Sequence, residues 1–423
     1  MSGCPDINSL PDVNLAQIFE KLPYQKRLQI ERVCKRWHHV AKSLSWSNFK
    51  TFDNGKYRNW SEPSIIQIKP FIEERCGRFL RHLTLRYWSP PVVLSFIRLA
   101  PQVQHLRLWS VKLMSEHIRE LAQILPHLKS LDLEVSLWSE VRMGAMRPTL
   151  WQSKSAIKQQ QDSMKHFQDM TSLEYLYIYE KTRFFDQNNL IQFPSSLKYL
   201  ALYGINSADQ ILFWAEKQCK NLKGLRLTYF ATRWLGTGIE FVFEALTELR
   251  ALEIYSPDEK IISAITKSCK KLEHVNILDD SLIISAEKHA NMLHLATLPN
   301  LCSVAIQASS YSKQQTTELV NRLIAKGNMQ YIQIKTSDTP LESAVLFEIL
   351  HHCKNIKTID LHFNLLDVYL YSTIDQMVDE VGNGMMDKVN VLKILVQSSK
   401  CNAIMRRRCK AMPRMECHKS SNG

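Results

Sequence analysis

The chain has 423 residues with 54 Lys and Arg against 41 Asp and Glu, and 45% of its residues are hydrophobic, which is enough for a sizeable core. No apolar run approaches the roughly 20 residues of a membrane span, and the opening residues lack the basic and apolar regions of a signal peptide. We therefore expect a soluble intracellular protein, cytoplasmic, nuclear or both, whose ten cysteines stay reduced.

The net charge of +13 is concentrated in two segments. Residues 400–423 account for +6 of it and residues 24–42 for +5, which leaves only +2 for the rest of the chain. A surface that follows nucleic-acid phosphates needs a broad basic stripe. Nucleic acid is therefore not expected as the main ligand.

Residues 7–52 predict three short helices. The first covers about 13–22, with Asp12 as its N-cap, and Pro23 ends it. The second covers about 25–31, and the third carries apolar residues at helical spacing from Val33 to Leu44. A module of this size buries little surface, so a partner or the adjoining chain should cover what remains apolar.

The motif residues of this module resemble the F-box. They are Leu10-Pro11, Ile18-Phe19, Leu22-Pro23, Leu28, Val33-Cys34-Lys35-Arg36-Trp37 and Trp46. The resemblance implies that the module docks onto the Skp adaptor, which connects it to a cullin-RING scaffold. It also implies that seven residues contact the adaptor or support that contact, and the alternative is that some of them only hold the three helices together: Leu10, Pro11, Ile18, Leu22, Leu28, Val33 and Trp37.

After a polar connector at 53–66, the pattern L-x-x-L-x-L recurs eleven times within 67–399. The cores begin at Leu80, Val103, Leu128, Leu173, Leu197, Leu222, Leu249, Leu272, Leu301, Met329 and Ile356. The last six intervals average 26.5 residues, the spacing of one strand plus one helix. The pattern predicts an α/β leucine-rich-repeat solenoid, a curved horseshoe with parallel strands on the concave face and helices on the convex face. Cys219, Cys269 and Cys353 each stand three residues before a core, which resembles the cysteine-containing repeats that follow F-boxes, and we expect them to be small buried thiols.

The third, fifth and seventh core positions should point away from the interior, because side chains alternate along a strand. Aromatic residues and arginine are enriched at interface hot spots, although tyrosine also favours strands for packing reasons alone. Eight of the outward residues with these side chains form the predicted substrate-binding face: Trp109, Tyr175, Tyr177, Tyr179, Tyr199, Tyr203, Arg226 and Tyr255.

Three further segments depart from the repeat. Residues 137–154 form either an inserted loop or a degenerate repeat. A helical segment near 372–397 is expected to cap the solenoid, and residues 400–423 are expected to be a disordered basic tail, either a nuclear signal or simply solvated.

No catalytic, phosphate-binding or metal-binding motif appears, so we expect a non-enzyme without cofactor or metal. The resemblance implies the substrate-recognition subunit of a Skp-cullin-F-box ubiquitin ligase, with a protein substrate that the sequence does not identify. The alternative is a Skp-binding scaffold that does not direct ubiquitin transfer.

Overall fold

The computed structural model describes residues 7–56, 69–111, 113, 115–135, 164–180, 192–203, 217–228, 239–279, 284–308, 310–335, 343–362, 391–396 and 415–419. The chain divides into two compact units, Met1–Leu197 and Lys198–Gly423. None of the described helices is long and apolar enough to cross a membrane.

Unit 1 begins with three helices, α1 (Asp12–Glu20), α2 (Tyr24–Ile30) and α3 (Lys35–Ser43). Proline precedes α1 and α2, where its fixed φ suits a helix start. Cys34 precedes α3, and its sulfur accepts a hydrogen bond from a backbone N–H in the first turn. The helices pack around one small cluster: Leu15, Ala16, Phe19, Val40 and Ala41.

Five parallel strands follow in unit 1, hydrogen-bonded in chain order. They are β1 (Thr51–Asp53), β2 (His82–Arg86), β3 (His105–Trp109), β4 (Ser130–Val135) and β5 (Tyr175–Glu180). Helices α4 (Pro90–Arg98) and α5 (Ser115–Ile124) and a 3-10 helix (Met164–Asp169) lie between successive strands.

Strand β1 was not predicted from the sequence. It joins the end of the helical module to the sheet, because Phe52 is buried and is the register partner of Leu83 on β2. The predicted boundary between module and connector at 52/53 therefore falls inside a strand. Connector residues 57–66 lie outside the described residues.

The helical module is fixed to the first repeat of unit 1. Glu31 accepts two hydrogen bonds from the Arg75 guanidinium, at 2.8 and 2.7 Å, and both side chains are largely buried. The rings of Trp46 and Phe71 meet edge-on at 5.0 Å. These contacts make the module part of the same unit as the first repeats.

Unit 2 contains nine described parallel strands in chain order. They are β6 (Tyr199–Tyr203), β7 (Gly224–Thr228), β8 (Ala251–Tyr255), β9 (His274–Asp279), β10 (Ser303–Ala308), β11 (Tyr331–Lys335), β12 (Thr358–His362), β13 (Val391–Val396) and β14 (Met415–Lys419). Its described helices are α6 (Ile239–Ala245), α7 (Glu259–Ser268), α8 (Ala286–Ala296), α9 (Lys313–Ile324) and α10 (Ser343–His352).

All eleven predicted cores form strands, each starting two residues after the first apolar residue of its core. In the core of β7, for example, Leu222, Leu225 and Leu227 are all buried. Cys219, Cys269 and Cys353 are buried as well. The α/β leucine-rich-repeat fold is therefore confirmed.

The predictions for the C-terminal region differ from the structure. Residues 391–396 form β13, where a helical cap was predicted, and residues 415–419 form β14, where disorder was predicted. Each strand pairs with the one before it, which satisfies backbone groups that an open sheet edge leaves unpaired. The rest of the predicted cap and tail, and the whole of 137–154, lie outside the described residues.

Candidate functional site

A buried arginine organises the N-terminal module. The guanidinium of Arg27 donates to the carbonyl oxygens of Leu22, Ser45 and Glu20 at 2.9, 2.6 and 2.6 Å. It also lies 5.0 Å from the ring centre of Trp46. Burial lowers the pKa of Arg27, but the carbonyl contacts satisfy its donors. The carbonyls at the ends of α1 and α3 are thus held together by one side chain.

The same module exposes apolar side chains. Val13 on α1 is 63% exposed, Ile18 on the same helix 42%, and Val33 in the turn before α3 60%. Ile7 and Leu44 are exposed to a similar degree. A module of this size with so much exposed apolar surface has the chemistry of a protein-binding surface.

The open face of the unit 1 sheet carries Trp109, as predicted from strand alternation. The guanidinium of Arg86 lies 4.2 Å from the Trp109 ring centre, a cation–π distance. Arg107 forms an ion pair of 2.5 Å with Asp132 on the next strand. Burial raises the pKa of the Asp132 carboxyl, although Arg107 acts in the opposite direction. The charges on this part of the face are therefore already paired within the protein.

The three tyrosines of β5 continue this face within unit 1. Tyr175 is 41% exposed, while Tyr177 and Tyr179 are half-buried. The register places Tyr177 opposite Asp132. The strand therefore offers one well exposed ring and two partly covered ones.

The open face of the unit 2 sheet holds the remaining predicted residues. Tyr199 lies over Gly224, where an added Cβ would come within 2.3 Å of the tyrosine ring. Tyr203 and Tyr255 are half-buried on β6 and β8. Arg226 forms an ion pair of 2.9 Å with Glu253. Because this guanidinium already has a carboxylate partner, an incoming acidic group would have to compete with Glu253.

Comparison with known proteins identifies the module. A family profile described as F-box-like matches residues 7–50. The N-terminal module is an F-box-like domain, and a repeat solenoid follows it. Among solved structures, the chain is similar to a protein in the structure of the yeast Rad7 and Elc1 complex, with a TM-score of 0.51 and 15% identity over 98% of both chains. At this identity the likeness shows the fold alone. The comparison with curated proteins gave no match.

The seven predicted adaptor residues of the F-box-like domain occupy different environments. Ile18, Val33 and Pro11 are exposed, and Leu28 is half-buried. Leu10, Leu22 and Trp37 instead pack against the buried cluster of the domain. The Trp37 ring lies 5.2 Å from Phe19, and its indole N–H donates to the Asn8 side chain at 3.1 Å. Three of these residues are thus exposed at the surface, and three pack against the cluster that holds the helices together.

Sequence reasoning missed Val13 and Arg27. Val13 lies at the start of α1, outside the apolar stripe that marks the buried face, so its exposure required the helix bounds. Arg27 looked like part of a basic segment, since burial of a charge is not visible in composition. Among the described residues, no group of three or more His, Cys, Asp and Glu side chains is placed to hold a metal ion.

Proposed function

We propose that this chain is the substrate-recognition subunit of a Skp-cullin-F-box ubiquitin ligase. The observation that supports it is the set of exposed apolar side chains, Val13, Ile18 and Val33, on a domain that matches the F-box-like family. Their burial by an adaptor would remove apolar surface from water, which is the dominant favourable term in association. The repeats then hold a protein substrate, and the chain itself performs no catalysis.

The adaptor is Skp in this proposal, and the yeast Rad7 structure contains Elc1. An Elc1-type adaptor is therefore tested beside Skp. The second candidate function is an adaptor-binding scaffold that does not direct ubiquitin transfer. Only the fate of the bound partner protein separates the two functions.

The decisive experiment captures the tagged full chain from cells with and without a block on cullin neddylation. Wild type is compared with the double variant Ile18→Asp and Val33→Asp, and with Phe241→Asp, which changes another exposed apolar residue, 65% exposed, in unit 2. We expect only the double variant to lose the adaptor. A substrate should bind all three chains, and it should accumulate under the block with wild type and Phe241→Asp only.

Point variants are preferable to a truncation of residues 1–52 because β1 begins at Thr51 and Glu31 pairs with Arg75. A truncation would therefore damage the solenoid. Partners that neither accumulate under the block nor carry ubiquitin would favour the scaffold function. Retention of both adaptors by the double variant would contradict the proposal.

For the substrate, we propose contact with the open sheet faces, including Tyr177 in unit 1 and Tyr203 in unit 2. Replacing both with Ala should weaken substrate capture by at least about 2 kcal/mol, as for interface anchors, and leave adaptor binding unchanged. Unchanged substrate affinity in a folded double variant would place the substrate site elsewhere, with 137–154 the next segment to test.

A further inference from the structure

The turns that lead from helix to strand in unit 2 form one continuous edge of its sheet. The residue before each strand donates its backbone N–H to the carbonyl of the equivalent residue one repeat earlier, from Lys223 to Lys357, at 2.7 to 2.9 Å. Adjacent strands lie about 4.8 Å apart. From β7 to β12 this edge is therefore about 24 Å long, counted as five such spacings.

The edge is strongly basic. Its turns are 217–223, 246–250, 269–273, 297–302, 325–330 and 353–357, and they contain nine Lys or Arg against Glu248 and Glu273, a net charge of +7. At the opposite edge, the described turn residues 256–258, 284–285 and 310–312 contain Asp258 as their one charged residue. The adjoining strand and helix ends add Lys260, Lys313 and Lys335 beside Glu259 and Glu287, so the charges on that side cancel. The small net charge of the solenoid thus conceals an uneven distribution.

Helix dipoles explain only part of this pattern. Basic side chains favour the last turn of a helix, and the effect declines beyond that turn. Lys223, Arg250 and Lys357 instead stand directly before their strands. The dipole effect therefore does not account for their positive charge.

Some of these cations form ion pairs within the edge, and their side chains remain half exposed. Lys271 pairs with Glu248 at 2.5 Å and Arg250 with Glu273 at 3.0 Å. Lys220, Lys270 and Lys354 are exposed as well, and they lie on the turns before β7, β9 and β12. The Lys270 ammonium donates to the Thr266 carbonyl at 2.6 Å and keeps its charge. These three lysines therefore extend the positive charge along the whole edge.

We propose that this edge binds the phosphate backbone of double-stranded nucleic acid without reading its sequence. Eight of the nine basic residues are Lys, which contacts phosphates as a point charge. A duplex carries one charge per about 1.7 Å of its axis, both strands counted, so the length of this edge spans about 14 phosphates, and only those on the near side of the duplex face the edge. This function is separate from adaptor and substrate binding, and it does not depend on them.

The composition of the edge favours a duplex over other anions. The six turns contain no Phe, Tyr or Trp, which a single strand needs for base stacking. Their residues are also not among the exposed large hydrophobic side chains, so an acidic peptide would find no apolar anchor. A phosphate backbone needs neither feature, because counterion release supplies the affinity.

The test measures binding of the full chain to a fluorescent 25-base-pair duplex of arbitrary sequence at several salt concentrations. The edge variant carries Lys220→Gln, Lys270→Gln and Lys354→Gln. The control carries Lys260→Gln, Lys313→Gln and Lys335→Gln, which removes three exposed lysines at the strand-to-helix side of the same unit. All chains retain residues 400–423, so any contribution of that segment is common to them.

Binding weakens with salt, so the slope of log K against log salt is negative. We expect this slope to be shallower than that of wild type by up to about 2.7 in the edge variant, at about 0.9 for each lost phosphate contact. The control should have the slope of wild type. Equal slopes in the two variants, or no duplex binding by wild type, would overturn the proposal. Poly-glutamate and phosphatidylserine vesicles are tested in parallel. A different outcome is that the edge variant binds poly-glutamate or the vesicles more weakly than wild type does and binds the duplex equally well. In that case the edge serves an acidic protein or a membrane, and the proposal is wrong.

Discussion

The buried ion pair between Glu31 and Arg75 should be essential for the joint between the F-box-like domain and the first repeat. Glu31→Gln removes the negative charge and leaves the Arg75 guanidinium, whose side chain is 15% exposed, without its main partner. Breaking a buried pair from one side costs about 3 to 5 kcal/mol. We expect the stability of the joint to decrease by about 3 kcal/mol, the lower end of this range, because Arg75 keeps a contact with Glu74 at 3.4 Å.

Hydrogen exchange measures this loss locally. The backbone N–H groups of Arg81 and His82 donate to the Lys50 carbonyl across the joint, at 2.8 and 2.9 Å. In Glu31→Gln their exchange should accelerate by about 100-fold, the equivalent of about 3 kcal/mol if local opening controls exchange.

A matched control distinguishes the buried pair from surface charge. Glu74→Gln removes the exposed contact between Lys42 and Glu74, which also joins the F-box-like domain to the segment that contains Arg75. In Glu74→Gln we expect little change in the exchange rates of the Arg81 and His82 backbone N–H groups, because exposed ion pairs stabilise a protein only weakly. Replacing Glu31 and Arg75 together by Leu and Met should restore much of the protection. Equal exchange in Glu31→Gln and Glu74→Gln would refute the reasoning.

Three further predictions concern unit 2. Asp279→Ala should lower the stability of the unit by about 3 to 5 kcal/mol in urea unfolding, because Lys288, 2.9 Å away and buried with it, loses its partner; an unchanged midpoint would contradict this. Gly224→Ala should displace the Tyr199 ring, visible as a changed tyrosine environment by NMR, since the new Cβ would overlap it. Burial raises the pKa of Cys269 to about 12. Between about pH 9 and 12 only the unfolded thiol ionises, so the free energy of unfolding should decrease as the pH rises through this range. Cys269→Ala should make this decrease smaller.

The repeat strands were predictable because each core combines two signals. The residues at positions one, four and six are apolar, as Leu80, Leu83 and Leu85 show, and the interval matches a strand plus a helix. The same pattern is present in the sequence at Val389, Leu392 and Ile394, and β13 begins at Val391, but the surrounding sequence suggested a helical cap. Strand β1 was missed because three residues give too short an alternation to detect.

The candidate sites were predictable only as positions on a face. Strand alternation placed Trp109 and Tyr175 on the open face, and the structure agrees. It did not reveal that Arg226 is paired with Glu253, since cross-strand partners depend on register between distant segments. Within the F-box-like domain, motif positions did not separate partly buried Leu22 from exposed Ile18, because the separation depends on how the helices pack.

Direct binding of purified adaptor to the full chain tests the central claim most directly. Skp and an Elc1-type protein are titrated against wild type, the variant with Ile18→Asp and Val33→Asp, and Phe241→Asp. We predict that one adaptor binds wild type and Phe241→Asp equally, and binds the double variant at least about 100-fold more weakly, in line with the loss of interface anchors worth about 2 kcal/mol or more each. Equal affinity for all three folded chains, or no binding of either adaptor to wild type, would contradict the account.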